Sequence, residues 1–196
     1  MNLLLAILMG YALGSLPFSY MAPKLFKGID IRTVGSGNVG ATNVLRTVGW
    51  PGALFAFVGD IAKGILATWL ALIIWGESAA LLAGIFSMIG HCYSVFLGFK
   101  GGKGVTTSAG IVLVLSPPIF AILLAFQILA IGTTKIVSLS SILAAVLFPL
   151  LAILLDMSQA FIIFSLIMSL FVIYRHRSNI VRLIRFEEPT LGKKAS

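Results

Sequence analysis

Seven apolar runs follow one another along this chain, near residues 2–22, 52–75, 79–99, 104–116, 118–134, 137–155 and 158–174. Most reach the roughly 20 residues that an α-helix needs to cross a bilayer. The turn signals between the later ones are brief: "WGES", "KGGKG", "SPP", "TTKIVS" and "LDMSQ". The two runs beside "SPP" are shorter, and Pro117 and Pro118 are expected to break any helix drawn through them. Charged residues make up 10% of the chain and apolar residues 59%, whereas a water-facing domain carries about one quarter charged residues. The reading is an all-α membrane protein with seven transmembrane helices, two of them short helices around Pro117-Pro118. No polar, Ser/Pro-rich or charged linker divides it, so residues 1–196 are read as one domain.

Charge sets the expected orientation. The first run has no basic stretch ahead of it and no small-residue cleavage pattern, so it is read as a retained span with its N-terminus outside. Seven crossings then place Lys24, Lys27, Arg32, Arg46, Lys100, Lys103, Lys135 and the basic tail from Arg175 to Lys194 on the inner face, with Lys63 toward it. All 14 Lys and Arg fall on or toward that side, and the outer loops keep only Glu77 and Asp156. A single span over residues 104–134 would send Lys135 and the C-terminus outside, against the positive-inside bias. A re-entrant pair there gives the same sidedness as two crossings. Such a face also attracts anionic headgroups, and Lys24, Lys27, Arg182, Arg185, Lys193 and Lys194 need no further role. The single Cys92 allows no internal disulfide or cysteine cluster, and reads as a buried thiol.

Function must then come from residues that topology does not require. In "GSGNVGATNVLR", residues 35–46, Gly35, Gly37 and Gly40 permit backbone turns whose N–H groups can converge on an anion. Ser36, Asn38, Thr42 and Asn43 add neutral donors, and Arg46 adds a guanidinium fork suited to phosphate. No strand precedes the glycines, so a dinucleotide-binding fold is excluded. A plain interfacial loop is the alternative, yet it would carry more Lys, Glu and Asp. "FKGGKGVTTSAG", residues 99–110, is a second such break. There Lys103, flanked by Gly101, Gly102 and Gly104, with Thr106, Thr107 and Ser108, could cradle an anion at a helix start. It does not satisfy the P-loop pattern.

Four further features are weaker. Asp60 and Lys63 in "GDIAKG" share a helical face within a span, as a self-neutralising packing pair or as support for a site. His91 reads as a structural hydrogen-bonder. Ser140 and Ser141 open the sixth span as caps or as ligands. In "YRHRSN", His176 and Asn179 lie three apart on one face between Arg175 and Arg177, and could hold a phosphate and orient a hydroxyl. Four donor-rich segments with few acids are thus expected on the cytoplasmic side, which calls for anionic ligands. A divalent-metal enzyme would want several carboxylates, and there is no GxSxG elbow.

Together "GSGNVGATNVLR", "GDIAKG", "GHCYSVFLGFKGGKGVTT" and "YRHRSNIVRLIRFEEPTLG" resemble, in order and spacing over nearly the whole chain, the bacterial acyl-phosphate:glycerol-3-phosphate acyltransferases. The resemblance implies a seven-helix, multi-pass enzyme of the bacterial inner membrane with its active site on the cytoplasmic side. It implies transfer of a fatty acyl group from acyl phosphate to the 1-hydroxyl of glycerol 3-phosphate, giving lysophosphatidate and phosphate in phospholipid synthesis. Carried over by motif, Lys103, Arg46, His176, Asn179 and Ser141 are the implied catalytic residues. Ser36, Gly37, Asn38, Gly40, Thr42, Asn43, Gly101, Gly102, Gly104, Thr107 and Ser140 are the implied binding residues. Asp60, Lys63 and His91 support them, and Glu187 or Glu188 in "RFEEP" is an anchor, with Glu187 the first choice. No metal, cofactor or nucleic acid is implied. The implied partners are the two substrates, membrane lipids and, as a candidate, the enzyme that makes acyl phosphate.

The resemblance fits the residues. The HxxxxD acid–base pair of another acyltransferase class is absent, because Phe96 follows His91 by five positions and Val181 follows His176 by five. A substrate phosphate is the expected proton acceptor. Two alternatives remain at this stage. One is a transporter for phosphorylated solutes, against which stand minimal acidic outer loops and no inverted repeat. The other is acyl transfer from acyl-CoA or acyl carrier protein.

Overall fold

Every apolar run becomes helix, but not every run becomes one helix. The structure is a computed structural model and describes residues 2–191; Lys193 and Lys194 lie outside them. Ten α-helices are described: α1 (Asn2–Gly14), α2 (Phe18–Lys27), α3 (Ala41–Thr47), α4 (Trp50–Trp75), α5 (Glu77–Cys92), α6 (Val105–Leu115), α7 (Pro117–Thr134), α8 (Val137–Leu154), α9 (Gln159–Arg175) and α10 (Arg177–Ile184). No strand occurs among the described residues.

Among the described residues, five helical segments are long and apolar enough to cross a bilayer: Asn2–Lys27 taken together, α4, Glu77–Leu97, α7 and α8. A sixth follows if α9 and α10, bent by 59° at His176, count as one. Helix α6 has 11 residues, about 16 Å of rise against a hydrocarbon core of about 30 Å. The expectation of two short helices around Pro117-Pro118 is corrected here. Only α6 is short; α7 runs for 18 residues and starts at the prolines themselves. A helix start has no intrahelical partner for those N–H groups, so proline costs nothing there.

Contacts divide the chain into two units, residues 2–115 and 116–191. In the first, α5 lies against α1 and α4, and α6 against α4, through small residues. A Cβ on Gly10 would stand 2.4 Å from the Ala83 carbonyl oxygen, and one on Gly14 2.1 Å from that of Ser87. Gly64 and Gly110 bring α4 and α6 together in the same way, each 2.3 Å from a backbone oxygen across the pair. Without a hydrophobic force between helices in lipid, such backbone approach is the source of packing energy. Gly14→Val is accordingly expected to cost about 1–3 kcal/mol by overpacking, read as a lower unfolding midpoint in detergent. A midpoint equal to wild type would show that α1 and α5 do not meet so closely.

In the second unit, α8 packs on α7 and α9. Phe148, Phe161 and Phe164 form its buried aromatic centre, with ring centroids 5.7 to 6.2 Å apart. Lipid-facing positions abound on α7, where Ile128 and Leu129 are about two-thirds exposed, as a surface turned toward acyl chains requires.

Candidate active site

The first run breaks at "GSLPFS". Pro17 has no N–H to donate and cannot continue α1, so the carbonyls of Ser15 and Leu16 lose their helical donors. Side chains from other elements replace them. Ser94 Oγ donates to the Ser15 oxygen at 2.6 Å, and Lys63 Nζ to the Leu16 oxygen at 2.8 Å. An interrupted helix at membrane depth survives only when its freed backbone groups are satisfied this way.

Lys63 is held in turn by Asp60, 2.9 Å away, with both side chains almost fully buried. Asp60 also accepts from Ser19 Oγ, and its Oδ1 lies 3.4 Å from His91 Nδ1. The expected Asp60–Lys63 pair is therefore one part of a larger cluster. Ser15, Ser19 and Ser94 are its unforeseen members. The signal for them was two serines flanking a proline inside an otherwise apolar run.

Above α2 the Gly/Asn loop is built from its own side chains. Gly28, at φ 68°, ends α2, and Asp30 caps the 3-10 turn Ile31–Thr33 by accepting from the Arg32 N–H. The Arg32 guanidinium bonds the same carboxylate at 2.6 Å and lies over the Tyr20 ring. That guanidinium, with the Arg32 N–H, pulls the Asp30 carboxyl down to about 2. Lys27 Nζ donates to the Thr47 carbonyl at 2.8 Å, tying α2 to the end of α3. Gly35 and Gly37 take positive φ of 60° and 67°, as the loop's reversal requires.

Asn43 organises this loop from within. Its Nδ2 lies within hydrogen-bond reach of the carbonyls of Ile31, Val34 and Asn38, and its Oδ1 accepts from the Ser36 N–H at 3.1 Å. Its amide is thus engaged by the loop's own backbone, which makes it a scaffold rather than an open contact. Ser36 is exposed, while Asn38, Gly40, Thr42 and Arg46 are half-buried.

The second loop runs straight into the first turn of α6, as expected. Gly101 N–H donates to the Cys92 carbonyl at 3.0 Å, and Gly102 N–H to that of His91 at 3.2 Å. Gly104 takes φ 87° before Ser108 N–H closes the first turn onto its oxygen. Lys103 is half-buried, whereas Thr107 is fully buried within the α4–α6 packing. The two glycine-rich loops meet at Gly102, whose absent Cβ would lie 2.2 Å from His91 Nε2 and 2.3 Å from the Val39 oxygen. A small hollow of about 10 Å³, lined in part by Ser15, Val39, Lys63 and His91, lies where the broken helix, the cluster and this loop adjoin.

The second unit holds a separate polar knot. His176 sits at the junction of α9 and α10, its Nδ1 2.8 Å from the Val172 carbonyl, and Asn179 lies in the first turn of α10. His176 stands at the 59° bend as the N-cap of α10, three residues before Asn179, and both are buried. The anchor is Glu188 rather than the first choice, Glu187. Glu188 accepts from Ser138, Asn179 and Arg182 at 2.6 to 2.7 Å, while Glu187 is exposed. Ser140 and Ser141 neither cap α8 nor point away from it. Both hydroxyls donate back to the Val137 carbonyl at 2.8 Å, and Gln127 donates to Ser141 Oγ.

Burial pushes the Glu188 carboxyl up, but the Ser138, Asn179 and Arg182 donors outweigh it and hold it below the usual glutamate range. A lowered folded-state pKa stabilises fully above the unfolded value near 4.5, and that support is lost as pH falls through the lower folded value. Amide protection factors in residues 177–191, corrected for intrinsic exchange, are therefore expected to fall on acidification below pH 4.5, by about tenfold per unit of depression. In Glu188→Gln that acid-dependent step should vanish. Its persistence would place the responsible carboxylate elsewhere.

Comparison with known proteins adds independent evidence. The family model described as glycerol-3-phosphate acyltransferase matches residues 4–186. A glycerol-3-phosphate acyltransferase of Syntrophomonas wolfei is 46% identical over 185 residues, covering 94% of this chain and 95% of the relative. One from Parasynechococcus marenigrum is 46% identical over 193 residues, covering 98% and 91%. Among solved structures, the crystal structure of PlsY (YgiH), an integral membrane glycerol 3-phosphate acyltransferase, in its glycerol 3-phosphate form, superposes with a TM-score of 0.93 at 36% identity. It covers 98% of this chain and 96% of that one. The lysophosphatidic acid form gives 0.91 at 34% identity, with the same coverage.

Proposed function

This chain belongs to the glycerol-3-phosphate acyltransferase family, and from that premise we propose that it acylates the 1-hydroxyl of glycerol 3-phosphate with acyl phosphate as donor. It is a multi-pass membrane protein. The proposed arrangement has seven crossings with α6 as the short fourth, the N-terminus outside, and the chemistry at the cytoplasmic side of the bacterial inner membrane.

The observation that carries the reading is the meeting of the two glycine-rich loops at Val39 and Gly102. Both substrates carry phosphate, so the first electrostatic task is to hold two anionic groups close without mutual repulsion. Loop amides, Ser36, Thr42, Arg46 and Lys103 suit that task, with Asn43 holding the first loop in shape. The hydroxyl oxygen of glycerol 3-phosphate attacks the acyl carbonyl carbon, and the bond from that carbon to the phosphate oxygen breaks. The hydroxyl proton passes to a phosphate oxygen, so lysophosphatidate and hydrogen phosphate leave. Phosphate is a stable leaving group and needs no protein acid, in keeping with the missing HxxxxD pair. In the second unit, His176 and Asn179 are proposed to touch substrate, held in place by Val172 and Glu188. Ser140 and Ser141 keep that assignment on resemblance alone, because their hydroxyls already serve the α8 backbone.

The test is donor competition. Purified protein receives labelled glycerol 3-phosphate with equimolar acyl phosphate, acyl-CoA and acyl carrier protein, each carrying a distinguishable chain. Lysophosphatidate bearing the acyl-phosphate chain supports the reading, and the chain of either other donor overturns it. A pH–rate profile that follows a histidine ionisation and disappears in His176→Ala would make His176 the base.

A further inference from the structure

We propose that His91 is a positioning residue, anchored on Asp60, that fixes the Gly101–Gly104 loop and thereby sets where Lys103 stands. The inference rests on the reading of Lys103 as a substrate contact. His91 ends α5 and is 7% exposed. One side of its ring faces Asp60 through Nδ1 at 3.4 Å. Asp60 is itself fixed by Lys63 and Ser19, on α4 and α2. The other side, at Nε2, is closed by the Gly102 backbone, where a methyl group would stand only 2.2 Å away.

The last carbonyls of a helix have no intrahelical donors. Those of His91 and Cys92 take the N–H groups of Gly102 and Gly101. The loop is thus gripped twice, by backbone bonds to the end of α5 and by the imidazole wedged beneath Gly102. The Val39 carbonyl oxygen crowds the same side of Gly102, 2.3 Å from the same missing methyl. Lys103 follows Gly102 directly, so its backbone origin is set by these bonds and contacts. An imidazole anchored and wedged in this way orients the loop that rests on it.

The experiment is a double-mutant cycle on the purified enzyme, with KM for each substrate and kcat measured for wild type, His91→Gln, Lys103→Ala and the double variant. His91→Gln is expected to raise KM about tenfold or more for the same substrate whose KM rises in Lys103→Ala. Displacement of a binding group by about 1 Å can cost up to about 100-fold. In the Lys103→Ala background the same replacement should cost less than about twofold further. Gly102→Ala should repeat both results by forcing the loop off the His91 ring and the Val39 carbonyl, and it decides the matter if His91→Gln does not accumulate as folded protein. Additive effects, or a fall in kcat with both KM values unchanged, overturn the positioning role while leaving Lys103 as a contact. A Lys103→Ala enzyme with wild-type constants overturns the underlying reading, and the inference with it.

Discussion

Asn43→Ala is expected to reduce acyl transfer by about 100-fold or more while the transmembrane helices stay assembled, because a misplaced binding group costs catalysis on that scale. One carboxamide, 2% exposed, bonds four backbone groups of residues 31–38. A buried polar group left without its partner costs about 1–3 kcal/mol. The loop has a cheaper way out, because Gly35, Ser36 and Gly37 already face solvent. Opening them to water satisfies the carbonyls and destroys the shape. The loss should therefore appear as local unfolding, not as global instability. Amide exchange over residues 31–43 should approach the unprotected rate while α4 and α5 keep their protection. Asn43→Asp keeps the acceptor for Ser36 but turns a second acceptor toward three carbonyls, so it is expected to be about as severe. Wild-type turnover and a protected loop in Asn43→Ala would show that another group holds these residues.

Asn43 also marks where reading a sequence stops. An asparagine in a glycine-rich loop can face a ligand or turn back on its own backbone, and residue type does not choose between them. The apolar runs were legible because bilayer thickness imposes one length scale on them. The interruption at Pro17 was not, since the run stays apolar on both sides and the donors that rescue it, Ser94 and Lys63, are remote in sequence. Pro117 and Pro118 were legible as a boundary, but proline halts a helix and begins one with equal ease. Glu187 and Glu188 are chemically identical neighbours. The left-handed backbone at Phe186, φ 58°, follows α10, and Glu188 is the carboxylate found on Ser138 and Asn179. Distance along the chain hides such choices, and the Asp60–His91 pairing, which joins α4 to the end of α5, is another.

The largest loss of stability is expected at Asp60. In Asp60→Leu the Lys63 ammonium keeps only the Leu16 carbonyl, Ser19 loses its acceptor, and His91 loses its anchor. Removing one partner of a buried pair strands the other charge, at a cost of about 3–5 kcal/mol. Replacing both partners by apolar residues of similar volume is often neutral, because two desolvation penalties disappear with the attraction. Asp60→Leu combined with Lys63→Met should therefore recover most of the unfolding midpoint lost in Asp60→Leu, short of the share due to the Leu16 carbonyl. Activity should not recover with it. The double variant still lacks the carboxylate that orients His91 beneath Gly102, so its KM should remain raised as in His91→Gln. Charge compensation and loop placement are separate services of one carboxylate, and this pair of variants separates them. A double variant no more stable than Asp60→Leu would mean that the charge on Lys63 is not what destabilises the single replacement. One that regained full activity along with stability would mean that Asp60 does nothing beyond neutralising its neighbour.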